Sequence, residues 1–193
     1  MFLTKAGLTA VAPDGTPLWT SEFEPELGIK PAPPVFIAPD LIFASASYEA
    51  GATMVRIVES ENGLAAEEVW RHRLMRNHFN GSVEIDGHLC GFDKAFLKCI
   101  DASTGEHTWI KRGLGKGSLI RADGKFIVLS ERGKLVLMEA NPAEPVELAS
   151  HQVLTGRSWT QPALSEGRLF VRNNTHLVAL DLAADRHSAP SGR

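Results

Sequence analysis

A hairpin signature that recurs about every forty residues constrains the fold of this chain more than any other feature. Its clearest copy runs from Leu97 to Trp109. Leu97 to Asp101 alternates apolar residues, Ala102-Ser103-Thr104-Gly105 is a polar turn with Gly to supply a positive φ, and Thr108-Trp109-Ile110 begins the returning strand. The Trp offers a large apolar body to wedge between neighbouring sheets, and its indole N–H then needs an acceptor. Equivalent strand ends fall at Ala12, Glu59, Asp101, Glu139 and Asp181, with steps of 47, 42, 38 and 42.

Two more features keep the same period. An earlier hairpin reads Val35 to Phe43, Val83 to Cys90, Leu119 to Val128 and Ala163 to Val171, with Asp86-Gly87, Asp123-Gly124 and Glu166-Gly167 at three of the turns. An Asp-Gly pair between apolar runs is the strongest short-range hairpin signal. A polar turn then joins the two hairpins, as in Glu131-Arg132-Gly133-Lys134 and Asn173-Asn174-Thr175-His176. Each period therefore supplies four short antiparallel strands, A to D, and a four-stranded sheet repeated radially is a propeller blade.

Composition agrees with an all-β chain. Seventeen Gly and eleven Pro among 193 residues supply many turns, and the one long helix-compatible run lies around Asn62 to Arg73. A net charge of -3 argues against duplex nucleic acid as a partner, because such binders carry an excess of Lys and Arg. No apolar run approaches the length of a transmembrane helix. Residues 1 to 7 show no charged n-region, apolar core or cleavage site, so no signal peptide is expected within this chain.

The pattern of apolar strand, Asp-Gly, apolar strand, Gly turn, Leu-x-Ala-Leu-Asp, Thr-Gly and Trp resembles the β-propeller repeats of the pyrroloquinoline-quinone (PQQ) type. Asp101 to Trp109 carries it almost in full, Pro13 to Trp19 is a shortened copy, and Glu59 to Trp70 is a copy with a longer turn. The fold class expected is all-β: a partial β-propeller with three complete four-stranded blades and two partial ones. Blades are expected at about 1–24, 32–74, 79–112, 117–156 and 160–182, within one domain over 1–185, followed by a polar, disordered tail at 186–193. Residues 2–20 read as strands B, C and D of the first blade, and 161–182 as A, B and C of the last.

Family members close rings of seven or eight blades, so the resemblance implies roughly the C-terminal half of one. Three arrangements would deal with the exposed blade faces. The chain is a fragment, two copies self-associate to complete a ring, or the arc closes on itself with Pro17 to Ser21 as strand D of the last blade.

The resemblance implies a non-catalytic scaffold or binding module, often periplasmic or secreted, as in outer-membrane protein assembly. The alternative it implies is a fragment or subunit of a PQQ-dependent quinoprotein dehydrogenase. Such enzymes hold calcium or a lanthanide through carboxylates and an Asn beside the quinone, use a catalytic Asp, and usually carry an adjacent Cys-Cys pair. Cys90 and Cys99 are not adjacent, and no catalytic residue is carried over. No cofactor is expected under the first reading, and PQQ with calcium only under the alternative.

A turn centred on Lys94-Ala95 would put Cys90 opposite Cys99, which leaves two states open: a cross-strand disulfide, or two reduced thiols filling the blade interior. The seven His show no metal-ligand spacing. Lys116-Gly117-Ser118, preceded by Gly113-Leu114-Gly115, lacks P-loop spacing and a following helix, and reads as a linker between blades.

In a propeller the loops leading into each strand A converge on one mouth of the central channel. Here they read 76–80, 112–118 and 157–161, and each carries a base. Arg76, Asn77, His78, Asn80, Lys116, Arg157 and Trp159, with Phe79 interleaved, form the candidate binding mouth. Arg, Trp and adaptable polar groups are what recognition surfaces use, so the partner expected is a protein, a peptide or a small anionic ligand.

Overall fold

Within every sheet, each strand pairs antiparallel with its neighbour in sequence, so the fold is a row of local meanders. The computed structural model describes residues 1–23, 32–61 and 63–182. The first sheet holds β1 (Phe2–Thr4), β2 (Gly7–Val11) and β3 (Pro17–Ser21). The second holds β4 (Val35–Ile37), β5 (Leu41–Ala46), β6 (Gly51–Ser60) and β7 (Gly63–His72). The third holds β8 (Val83–Ile85), β9 (His88–Asp93), β10 (Phe96–Asp101) and β11 (His107–Lys111). The fourth holds β12 (Gly117–Ala122), β13 (Lys125–Ser130), β14 (Lys134–Glu139) and β15 (Glu147–Gln152). The last holds β16 (Ala163–Ser165), β17 (Arg168–Arg172) and β18 (Leu177–Asp181).

This is the all-β partial propeller, with three four-stranded blades between two that have three strands among the described residues. Within the helix-compatible run, Gly63–His72 form the long outer strand β7, because pairing with β6 along nearly its whole length outweighs local helix preference. One of the three expected arrangements is corrected. Strand β3 pairs with β2 in the first sheet and with no described strand of the last sheet, so residues 17–21 do not complete the last blade. The tail at 186–193 and His187 lie outside the described residues. Among the described residues no helix is long and apolar enough to cross a membrane.

Burial explains why the second strands are almost continuously apolar. In β5, Ile42, Ala44 and Ala46 face the first sheet with Leu8 and Phe23, while Phe43 joins Met54, Leu89 and Ile100 between the second and third sheets. In β13, Phe126 and Val128 pack with Phe92, Leu97 and Leu119 towards the third sheet, while Ile127 and Leu129 pack with Leu169 and Val171 towards the last. A strand sandwiched on both faces has no solvent side, so its sequence loses the polar alternation of an edge strand. The outer strand β15 is exposed along its whole length and is polar accordingly.

The repeated turns have the geometry their sequence requires. Asp86, Asp123 and Glu166 have φ of 46°, 48° and 49°, and the glycines after them have φ of 75°, 69° and 76°. Two consecutive positive φ values are the type I′ pattern that suits the twist of a hairpin. Each C–D pair of the first four sheets also carries a register shift, after Ala10, Met54, Cys99 and Leu137. A bulge there adds local twist in the outer half of a blade.

The Thr-Gly-Trp corner locks one blade to the next. Trp70 Nε1 donates to the Ala102 carbonyl at 2.9 Å, and Trp109 Nε1 donates to the Asn141 carbonyl at 3.1 Å. The donor and acceptor are 32 residues apart in both cases, so one repeat's Trp reads the next repeat's corner. Asp101 builds that corner by accepting from Ser103 N, Ser103 Oγ and Thr104 N. The Ser103 bonds lead in holding its carboxyl below the ordinary aspartate value. His72 stacks on Trp70 at 4.4 Å and lies over Gly105, whose φ is +74°. A Cβ at Gly105 would sit 2.1 Å from the imidazole, so this position needs glycine twice over.

Cys90 and Cys99 stand directly opposite each other in the β9–β10 register and are joined as a disulfide, which resolves the two open states in favour of the bridge. Both are fully buried in the core between the third and fourth sheets.

Candidate functional site

In an up-and-down meander the loop into strand A and the turn between strands B and C lie at the same end of the sheet. The mouth is therefore built from two kinds of segment. Three incoming loops supply His78, Lys116 and Trp159, and two B–C turns supply Ser47, Tyr48 and Glu49 from the second sheet and Lys94 from the third. Together these seven residues line an open cleft of about 560 Å³.

His78 is at its centre. Its ring lies 5.6 Å from Tyr48, 5.3 Å from Phe79 and 5.7 Å from Trp159, each edge to face. Phe79 and Trp159 stack at 4.9 Å. Lys116 Nζ lies 3.4 Å from His78 Nδ1, and Tyr48 Oη lies 3.1 Å from Nε2. An ammonium group can only donate, so Nδ1 accepts from Lys116. The neutral ring then carries its proton on Nε2 and donates it to Tyr48 Oη. Burial and the Lys116 charge hold the imidazole below the ordinary histidine pKa, against an opposing pull from Glu131.

Trp159 gathers the rest of the mouth. The Arg157 guanidinium sits 4.5 Å from its ring centroid and the Lys116 ammonium 5.5 Å, within cation–π range. Its Nε1 donates to Glu131 Oε2 at 3.4 Å, and Asn80 Nδ2 donates to its carbonyl at 3.3 Å. Glu131 also accepts from the Lys116 backbone N–H at 3.2 Å, which steadies the loop next to Gly115. Gly115 has φ +69°, and a Cβ there would come within 2.7 Å of the same carboxylate.

Two of the expected mouth residues face inward. Asn77 is almost fully buried: its N–H donates to Ser45 Oγ at 2.9 Å, its Nδ2 to the Phe92 carbonyl at 3.1 Å, and its Oδ1 accepts from Ser82 at 3.1 Å. Arg76 grips buried Asp93 with two bonds, Nε to Oδ1 at 2.8 Å and Nη2 to Oδ2 at 3.1 Å, and reaches Glu49 at 3.5 Å. Lys98 completes the cluster, donating to Asp93 Oδ2 and to the Leu74 carbonyl at 3.1 Å. Burial pushes the Asp93 carboxyl up, but hydrogen bonds and charge from Arg76 and Lys98 prevail and hold it below the ordinary value. This network fixes loop 74–78 against the β9–β10 turn and so presents His78 at a defined height.

The B–C turns were not read from the sequence as part of the mouth. Their signal was the meander itself, which puts these turns at the same end as the incoming loops. Tyr48, Glu49 and Lys94 have φ of 55°, 66° and 54°. Non-glycine residues in the left-handed region mark a tight, defined turn. Glu49 and Lys94 pair across the two turns at 2.5 Å, and Lys94 leads in lowering the Glu49 pKa.

The quinone–calcium alternative implies a carboxylate set and, usually, an adjacent cysteine pair. Among the described residues no three His, Cys, Asp or Glu side chains are grouped to hold a metal ion. The disulfide is a cross-strand bridge inside a blade core, away from the cleft.

No family model matches the chain, and no curated protein matches its sequence. Solved structures do match its fold. BamB from Moraxella catarrhalis superposes with a TM-score of 0.63 at 12% identity, over 86% of this chain and 48% of that one. The computationally designed Ika8 protein matches at 0.56 and 11% identity, over 82% and 46%. The designed Ika4 protein matches at 0.59 and 10% identity, over 86% of this chain and 97% of that one. The chain thus spans about half the length of BamB and of Ika8. At such identities the likeness carries the fold alone.

Proposed function

We propose that this chain is a non-catalytic propeller segment of the PQQ-like repeat type that acts as a scaffold or binding module. Its ligand, a protein, a peptide or a small anionic molecule, docks on the mouth lined by Tyr48, His78, Lys116 and Trp159. The observation that carries this reading is convergence. Three loops about forty residues apart in sequence bring an imidazole, an ammonium group and an indole into mutual contact beside an open cleft.

The side-chain types support recognition. Trp, Tyr and Arg dominate binding hot spots because they bury much area at little entropic cost. Among the described residues no three His, Cys, Asp or Glu side chains are grouped to hold a metal ion, and Glu49 is the one carboxylate in the cleft lining.

The test is a random peptide library selected on the full chain and then measured against Arg157→Glu and Trp159→Ala. The reading predicts peptides that bind the parent chain and lose at least about tenfold in affinity with either variant. Selected peptides that bind both variants as well as the parent would overturn it. Stoichiometric, tight uptake of PQQ with calcium in calorimetry would favour the dehydrogenase alternative instead.

A further inference from the structure

The mouth carries an ammonium group whose direct contacts are neutral rings. Among the described residues no carboxylate lies within ion-pair distance of Lys116 Nζ. Its partners are the His78 nitrogen at 3.4 Å and the Trp159 ring at 5.5 Å. Three other cations at this end differ in that respect, since Lys94 is paired with Glu49 and Arg76 and Lys98 share Asp93, while Arg157 lies over the Trp159 ring as Lys116 does. A half-buried ammonium held among aromatic rings gains most from an anion that arrives with a ligand.

A second donor sits across the same cleft. Because His78 accepts from Lys116 at Nδ1, it donates to Tyr48 Oη through Nε2, so the tyrosine's own hydroxyl proton remains to be given to another acceptor. Lys116 and Tyr48, one at each imidazole nitrogen, both line the cleft as donors. Trp159, stacked with Phe79, contributes aromatic surface to the cleft lining for whatever carries the anion. A cleft of about 560 Å³ lies in the range of small-ligand sites.

The surrounding acids limit the anion's charge. Glu49 lines the cleft, and Glu131 stands behind Lys116 and Trp159. A phosphate dianion would meet both, whereas a carboxylate adds one charge against Lys116 with Arg157 beside it.

Resting on the mouth reading above, we infer that the cleft between Tyr48, His78, Lys116 and Trp159 binds a singly charged carboxylate attached to an aromatic or apolar group. That group is either a free small acid or the C-terminus of a peptide. Lys116 and Tyr48 hold the carboxylate, and Trp159 holds the body.

The experiment follows the His78 ring signals by NMR in the full chain during titration with phenylacetate, phenyl phosphate, 2-phenylethanol and N-acetyl-Gly-Phe as acid and as amide. Phenylacetate is expected to shift them saturably, with phenyl phosphate and the neutral alcohol each at least about tenfold weaker, the scale of one charge-assisted hydrogen bond. Lys116→Met should lose about tenfold with an unchanged melting temperature, and Tyr48→Phe a smaller factor. Tighter binding of the peptide acid than of phenylacetate, with the amide inert, supports a peptide C-terminus. The reverse order supports a free acid. Phenyl phosphate or 2-phenylethanol binding as well as phenylacetate, or a Lys116→Met variant binding as the parent does, overturns the inference. Selected peptides that depend on Arg157 and Trp159 but not on Lys116 or a carboxylate also overturn it, and they leave the mouth reading standing.

Discussion

The two ends of the blades use similar residues for opposite purposes. At the C–D corner, Asp101, Thr104 and Trp109 spend their polar atoms inside the fold: the carboxylate closes its own turn, and the indole bonds to the next blade's corner. At the mouth, Lys116 and Trp159 meet residues from other loops, Arg157 lies over Trp159, and among the described residues neither Lys116 nor Arg157 has a carboxylate partner. Trp109 is 6% exposed and packed in a blade core, while Trp159 is half-buried at a cleft. Residue type alone therefore does not separate structure from recognition in a repeat protein. On the proposed reading, the end of the strand and the burial of the side chain together do.

The largest expected break in this comparison comes from the two tryptophans. Trp109→Ala should cost about 3–5 kcal/mol, as for other buried aromatics. At roughly 2–4 °C per kcal/mol for a chain of this size, calorimetry should record a clear fall in melting temperature, while the folded fraction still binds mouth ligands. Trp159→Ala should cost about 1 kcal/mol and remove binding. Equal stability losses at the two sites would erase the distinction.

Asp93 sharpens the comparison, because it lies at the mouth end yet serves the framework. Asp93→Asn leaves Arg76 and Lys98 sharing a neutral amide, and should destabilise by about 3 kcal/mol in urea unfolding. The folded-state pKa of Asp93 is depressed, so its contribution is fully present above the ordinary value of 3.8 and is lost as pH falls through the lower folded value. The gap between parent and variant should accordingly narrow only below about pH 3.8.

The smallest effects are at the exposed ends of each region. Asp101→Ala removes the turn's internal acceptor and should cost about 1 kcal/mol. Arg157→Ala should change stability by less than about 0.5 kcal/mol, since the side chain is exposed. A larger loss at Arg157 than at Asp101 would reverse the assignment of the two ends.

Much of the corner was legible in the sequence, because turn chemistry is local. Asp86-Gly87 and Asp123-Gly124 announce their turns, and the spacing of Asp101 to Trp109 announces the blade. The bulges after Met54 and Cys99 were not legible, since a one-residue shift leaves the apolar pattern intact. The mouth was legible in outline only. The loops named by the repeat do meet, but Arg76 and Asn77 turn inward to Asp93 and Phe92, and Tyr48 arrives from a turn whose sequence carries no recognition signal. Burial and partner choice depend on contacts between loops far apart in the chain, which no local pattern records. The cysteines show the same limit: opposition across β9 and β10 was readable from the turn, but their oxidation was not.

The convergence of loops about forty residues apart is the claim on which the functional reading rests. Nuclear Overhauser measurements between aromatic side chains test it directly. The fold predicts cross-peaks between the His78 imidazole and the Trp159 indole, whose centroids are 5.7 Å apart, with the Trp70–His72 stack at 4.4 Å as an internal reference. A spectrum that shows the Trp70–His72 contact and lacks any between His78 and Trp159 would contradict it.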